Sequence, residues 1–334
     1  MALSDAAALV GHDAAVAAFL AAAGSGRLHH AWLLAGPEGV GKGLFATLAA
    51  RWLLADAAGP SVARDGLDVP NDHRIATLLT AGSHPDFRRL QRLSRDRSEE
   101  LARSITVDQV RGLQALLSTT PGLSFRRVVV IDAIDELERS AANALLKNLE
   151  EPPAGTIFLL VSHAPGRLLP TIRSRCRLLR FGRLADEQVR QVLAANLPDE
   201  GEAGLAALTR IATGAPGAAM RFAGLNIAAL DADIERLATE GDPQNQLRGA
   251  LARSLSGKSA QARYEAFLER APARIAAAAR RRPAQSLASG VALWREALDI
   301  ADRAVRQSND AQLTVFELAG LVARLAPEGI TAKA

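Results

Sequence analysis

Gly36-Pro37-Glu38-Gly39-Val40-Gly41-Lys42-Gly43 is the stretch on which the fold turns. The pattern G-x-x-x-x-G-K-[ST] builds a loop whose backbone N–H groups cradle phosphates, whose lysine reaches the outer phosphates, and whose terminal hydroxyl binds Mg²⁺. Seven of the eight positions conform, and the eighth, Gly43, cannot ligate a metal. Gly36, Gly39, Gly41, Lys42 and Gly43 are therefore the candidate nucleotide-binding residues. The flanks supply the strand-loop-helix context that makes such a loop believable. Ala31-Trp32-Leu33-Leu34-Ala35 is a short apolar run entering it, and Leu44, Leu48 and Leu53 carry a helix out of it.

Working outward, Asp13 to Ala23 reads as a small helix closed by Gly24-Ser25-Gly26. Val128-Val129-Val130-Ile131 and Ile157-Phe158-Leu159-Leu160-Val161 are continuous apolar runs, as expected of strands buried on both faces of a parallel sheet. Arg177 to Phe181 is more amphipathic and suits an edge, and His84-Pro85-Asp86-Phe87 leads into a further strand ending at Leu90. A helix with Ala142, Leu145, Leu146 and Leu149 at helical spacing lies between the two apolar runs. Strands alternating with helices predict an α/β domain with a parallel, doubly wound sheet. Residues 56–83 carry Gly59-Pro60, Asp65-Gly66 and Pro70-Asn71-Asp72 and read as irregular, while Gln91 to Glu100 is a polar, exposed connection. After Gly182 the strands stop. Asp186–Leu197, Glu202–Thr213 and Gly217–Ala223 are three short helices, and from Asn226 the chain is helical throughout. The expected domains are 1–182, 183–225 and 226–334.

The 334 residues are 49% hydrophobic and 23% charged, which is ordinary globular composition with enough apolar content for several cores. Net charge is only +4, with arginine supplying nearly all the basic charge, a balance compatible with a nucleic-acid neighbour without requiring one. Arg280-Arg281-Arg282 before Pro283 reads as a solvated helix end, since no aromatic residues interleave it. A single cysteine, Cys176, excludes an internal disulfide framework and any cysteine-cluster zinc site. No secretory leader and no run of roughly 18 apolar residues is present, so a cytoplasmic location and no membrane partner are expected.

Asp132 closes the Val128–Ile131 strand, where a nucleotide-binding sheet places a second magnesium-directed carboxylate. Hydrolysing ATPases of this architecture follow that Asp with a Glu that polarises the attacking water; here Ala133 follows. Asp135 and Glu136 lie one turn further on and are not obvious replacements.

Asn143–Pro153 (NALLKNLEEPP), Ile157–His163 (IFLLVSH) and Leu168–Cys176 (LLPTIRSRC) resemble the bacterial DNA polymerase III clamp-loader subunits of the AAA+ class. Leu28–Lys42 (LHHAWLLAGPEGVGK), Ser83–Phe87 (SHPDF) and Gly214-Ala215-Pro216-Gly217 fit the same family, so the resemblance spans roughly the first 225 residues. It implies an AAA+ P-loop domain followed by a small helical lid and an all-helical collar for oligomerisation. Two kinds of subunit share these motifs: the hydrolysing gamma/tau motor, and the delta-prime kind with a decayed site. Gly43, Ala133, and Gly217 in place of an arginine reaching the phosphates (Arg221 is one turn late) all point to the second kind.

The zinc cysteines of both kinds are missing between Arg51 and His84, and Asp72, His73 and His84 are thin material for a metal site. No zinc is expected, and no cofactor is required. Weak ATP or ADP binding without efficient magnesium-dependent hydrolysis remains compatible with the loop. Ser174-Arg175-Cys176 is intact, and the resemblance makes Arg175 a residue presented in trans to a neighbour's ATP, where a planar cationic fork can engage two phosphate oxygens. The partners it implies are gamma/tau motor subunits and delta in a pentameric ring, the sliding clamp, and primed DNA through the assembly. The alternatives are an ATP-hydrolysing motor subunit and a free-standing nucleotide-binding regulator.

Overall fold

The computed structural model describes residues 8–26, 28–60, 62–94, 102–281, 283–307 and 310–327. Arg282 and residues 95–100 of the charged connection lie outside that set. The elements run α1 (Asp13–Gly24), β1 (Ala31–Ala35), α2 (Lys42–Ala58), α3 (Arg74–Thr80), β2 (Phe87–Leu90), α4 (Val107–Arg111) and α5 (Leu113–Leu117). They continue with β3 (Arg127–Asp132), α6 (Arg139–Glu150), β4 (Thr156–Ser162), α7 (Pro170–Arg173) and β5 (Arg177–Arg180). Then come α8 (Asp186–Asn196), α9 (Glu202–Ala212), α10 (Pro216–Met220), α11 (Ile227–Glu240), α12 (Gln246–Ser254), α13 (Gln261–Arg280), α14 (Ala284–Gln307) and α15 (Ala311–Ala323).

The five strands form one parallel sheet in the order β2-β3-β4-β1-β5. The continuous apolar runs occupy its three interior positions, every residue of β1 and β4 being buried, and the amphipathic β5 takes an edge. This is the α/β architecture expected from the alternation of strands and helices. Strand parity sorts the core onto the two faces. Trp32, Leu34, Val128 and Val130 pack with Phe19 of α1 and with Phe45, Trp52 and Leu53 of α2. Leu33, Val129, Ile131, Phe158 and Leu160 pack with α4, α5 and α6 through Val110, Leu113, Leu145 and Leu149. On the first face Phe19 meets Trp32 and Phe45 edge-on at 5.2 and 5.5 Å, and Phe45 meets Phe181 at 5.0 Å, so an aromatic chain runs beneath the glycine loop.

Two local readings change. Residues 74–80, read as irregular, form α3: His73 Nδ1 accepts the Ile75 N–H at 3.2 Å as its cap, and Ile75, Ala76 and Leu79 are buried. On α6 the buried stripe is Ala141, Leu145, Asn148 and Leu149, so Ala142 and Leu146 lie at its margin.

The chain divides into two compact units, Met1–Asn196 with Ala212–Ala218, and Leu197–Ile211 with Ala219–Ala334. The second is all helical among its described residues. Within it α13 is tied to α11 by two arginine–carboxylate forks, Arg270 on Asp231 and Arg274 on Glu235, the latter at 2.6 and 3.0 Å. Asp242 caps α12 by accepting the N–H groups of Leu247 and Arg248 at 3.1 and 2.9 Å. Arg280 and Arg281 are exposed at the end of α13, as read from the sequence. Among the described residues no helix is long and apolar enough to cross a membrane.

Candidate functional site

The glycine loop leaves the carboxyl end of β1 and opens α2, with Gly41 in the left-handed region (φ 107°) as the N-cap. Its path is possible only because some positions lack a side chain. A Cβ at Gly36 would stand 2.2 Å from the Phe181 carbonyl, and one at Gly39, itself at φ +78°, would stand 2.4 Å from the Ala218 nitrogen.

Donors from the chain itself meet four carbonyls of this loop. Lys42, 2% exposed, donates its Nζ to the Gly36 carbonyl at 2.7 Å and to the Pro37 carbonyl. Burial pulls its pKa down from 10.5 to about 8, against the pull of Asp132, Asp135 and Glu38, which raise it. His12 Nε2 donates to the Val40 carbonyl at 2.7 Å. The Gly217 N–H donates to the Gly39 carbonyl at 2.8 Å. Gly217 thus lies directly on the loop: a Cβ there would approach Gly39 Cα to 2.9 Å. An arginine at this position could not be accommodated without moving the loop. Arg221 pairs instead with Glu269 of α13 at 2.5 Å.

Asp132 sits at the carboxyl end of β3, on the α2 face by parity with Val128 and Val130. Its Oδ2 accepts from Arg89 Nη2 at 2.6 Å. Arg89 is in register with Val130, which brings its side chain to the same face, and its Nη1 reaches Thr47 Oγ1 of α2 at 3.3 Å. A Cβ added at Gly43 would stand 2.6 Å from Asp132 Oδ2. The two groups that would hold Mg²⁺ in a hydrolysing site are therefore a missing hydroxyl and a carboxylate already paired with a guanidinium. These residues do not fit a magnesium–nucleotide complex.

The residues that follow Asp132 offer no carboxylate free to orient water. Ala133 is buried and apolar. Asp135 accepts from Ser162 Oγ at 2.9 Å and from the N–H groups of His163 and Ala164, fastening the end of β4. Glu136 pairs with Arg92 at 3.0 Å. The arrangement retains one buried cation, Lys42, at a helix N-terminus, with Ala133 where a hydrolysing site of this architecture carries a glutamate.

Arg175 lies on the connection from α7 to the amino end of β5, whereas the glycine loop and Asp132 lie at the carboxyl ends of β1 and β3. Since β1 and β5 are parallel neighbours with Trp32 opposite Arg177, about one strand length, roughly 16 Å, separates the two levels. The structure brings Gly36, Gly39, Gly41, Lys42, Gly43 and Asp132 together and leaves Arg175 apart from them. Pro170 opens α7, and Arg175 Nη1 donates to the Thr171 carbonyl at 2.8 Å. Its Nη2 meets Glu150 Oε1 at 2.7 Å, with both side chains partly exposed. Cys176 packs against the core on the α6 face, and burial pushes its thiol up to about 12, which excludes thiolate chemistry near neutral pH.

Sequence reasoning missed Arg89 and Asp86. The signal for Arg89 was the two-residue period of β2, which aims it to the same side as Asp132. Asp86, 2% exposed, is structural: it accepts the N–H groups of Gly122 and Leu123 at 2.7 and 2.9 Å, which is the use made of the SHPDF segment. His84 Nδ1 accepts the Asp86 N–H at 3.1 Å. With His73 serving as a helix cap, both histidines of the 56–84 region have backbone roles. Among the described residues no group of three or more His, Cys, Asp or Glu could hold a metal ion.

Residues 11–185, just over half of the chain, match the family described as DNA polymerase III, delta subunit. The chain is 38% identical over 198 residues to the DNA polymerase III subunit delta' of Pseudomonas aeruginosa, covering 59% of this chain and 57% of that one. It is 35% identical over 196 residues to the delta' subunit of Escherichia coli, covering 59% and 55%. A DNA polymerase III subunit gamma of Buchnera aphidicola is 33% identical over 164 residues, covering 49% and 41%. The matched region spans little more than half the length of the delta' relatives. On the family match and these relatives, the chain belongs to the delta-prime family of bacterial DNA polymerase III clamp-loader subunits.

Proposed function

We propose that the chain is a non-hydrolysing clamp-loader subunit that donates Arg175 to the ATP site of a neighbour. The observation that carries this is a glycine loop whose lysine and facing carboxylate are already paired within the chain, together with an intact arginine at the opposite end of the sheet. Arg175 stands about a strand length from its own phosphate loop, so phosphates it engages belong to another subunit. Its guanidinium can exchange a half-exposed carboxylate, Glu150, for a phosphoryl oxygen at little cost, because such exposed pairs are worth only about 0–1 kcal/mol. At the neighbour's site a positioned arginine stabilises charge on the transferring phosphoryl group, worth on the order of 10³–10⁵ in rate where dissected in other nucleotide hydrolases.

In this reading the chain completes a pentameric ring with gamma/tau motor subunits and delta in the bacterial cytoplasm, opens the sliding clamp with them, and helps place it on primed DNA. Residues 1–182 serve as the AAA+ scaffold, 183–225 as the helical lid and 226–334 as the collar that joins the ring. Reconstitution with and without this chain, scored by clamp loading onto primed DNA, tests the role. Loading should require it, and undiminished loading without it would refute the proposal. The isolated chain should show no magnesium-dependent ATP turnover. Turnover abolished by Lys42→Ala would make it a motor instead.

A further inference from the structure

We propose that Arg89 is a resident substitute for the divalent cation of the inherited phosphate site, so that Asp132 is neutralised permanently by the chain itself. The inference rests on reading the loop as a phosphate-site frame and is independent of ring membership.

A strand-end carboxylate partly withdrawn from water needs a counter-charge, and an ATPase supplies it as Mg²⁺. Here Arg89 Nη2 supplies it at 2.6 Å, and the same guanidinium is held to α2 by Thr47 Oγ1 at 3.3 Å. Thr47 Oγ1 in turn donates to the Gly43 carbonyl at 2.9 Å, so the cation is seated against the first turn of the loop's own helix. A Cβ at Gly43 would lie 2.6 Å from Asp132 Oδ2 and 3.6 Å from Arg89 Nη2. The ion pair stands where the metal-binding side chain would be. Gly43 and Arg89 thus act together: the guanidinium balances the carboxylate, and glycine leaves room for both. A magnesium ion arriving here would meet two resident cations, Arg89 and Lys42, and one carboxylate already in use. Arg89 is a positioning and charge-balancing residue, with no part in any reaction.

The test is thermal unfolding of the full chain without nucleotide, in EDTA and in millimolar Mg²⁺ or Mn²⁺. The wild type and Arg89→Lys should unfold at the same temperature in all three buffers. Arg89→Gln should unfold earlier in EDTA and recover by about 3 °C in Mn²⁺, because Asp132 is then free to take the ion. The double variant Arg89→Gln/Asp132→Asn should lose that response. Gly43→Thr alone should be destabilised with no help from cations, and Gly43→Thr/Arg89→Gln should regain stability with Mn²⁺. Titration of the wild type with Mn²⁺, followed by electron paramagnetic resonance, needs neither an Arg89 nor a Gly43 variant and should give the same curve as Asp132→Asn. Asp132-dependent Mn²⁺ binding by the wild type, or an Arg89→Gln variant indifferent to cations, would overturn the proposal.

Discussion

Replacing Lys42 by methionine keeps the length of a fully buried side chain and removes its charge. The Lys42 pKa stands at about 8 in the folded chain against 10.5 ordinarily, with burial as the first cause. The folded value lies below the unfolded one, so between them the unfolded chain holds a proton that the folded chain has released. Stability therefore rises with pH across that window. The Lys42 contribution is fully present above about pH 10.5 and is lost as pH falls through about 8. At about 1.36 kcal/mol per pH unit, the difference of 2.5 units between 10.5 and about 8 amounts to about 3 kcal/mol. Urea unfolding of both proteins in a Trp294→Phe background would follow Trp32 and Trp52, which are both buried in the α/β unit. The stability of the Lys42 protein minus that of the Lys42→Met protein should climb by about 3 kcal/mol between pH 8 and 10.5 and stay level below pH 8. Two parallel stability curves would refute the reasoning. They would mean that the ammonium reaches solvent, as it must to receive phosphates, and is not committed to the Gly36 and Pro37 carbonyls.

Asp86→Ala strips the acceptor from two backbone N–H groups, and its cost should be about 3 kcal/mol in the same urea assay. A cost under about 0.5 kcal/mol would show that the 122–123 turn finds other acceptors. Gly39→Ala combines a left-handed backbone with a Cβ 2.4 Å from the Ala218 nitrogen and should cost at least about 2 kcal/mol, while Gly24→Ala, with nothing within 4 Å, should be close to neutral. Equal effects at the two positions would contradict the close packing of segment 217–218 on the loop. Arg175→Ala removes a partly exposed ion pair with Glu150 and an exposed hydrogen bond to the Thr171 carbonyl and should shift stability by about 1 kcal/mol or less, so circular dichroism melts of wild type and variant should nearly coincide.

The sheet was legible because buried parallel strands leave continuous apolar runs, and Val128–Ile131 and Ile157–Val161 are such runs. The edge position of β5 was legible from the arginines at both of its ends, Arg177 and Arg180. Helix α3 was not, because its cap is a histidine acting through Nδ1, an uncommon choice, and the preceding Pro70-Asn71-Asp72 carries strong turn signals. The gap at Gly43 could be read against the loop pattern and that at Ala133 against the strand-end Asp132 it follows, since each is a single position in a fixed spacing. What fills them could not. Arg89 reaches Asp132 across 43 positions of sequence, and only the register of β2 on β3 brings them together. The acceptor role of Asp135 at the end of β4 was hidden for the same reason, being set by tertiary packing. Local pattern thus exposed what the site has lost, while the compensating contacts belong to the folded chain.

The central proposal is that this chain's useful residue is Arg175 and that its own loop is inert, and one comparison bears on it most directly. ATP turnover stimulated by primed DNA would be measured in loaders reconstituted with motor subunits, delta, and this chain as wild type, Lys42→Met or Arg175→Ala. Lys42→Met should leave turnover unchanged, and Arg175→Ala should lower it while the ring still assembles. Turnover that falls with Lys42→Met and holds with Arg175→Ala would contradict the account.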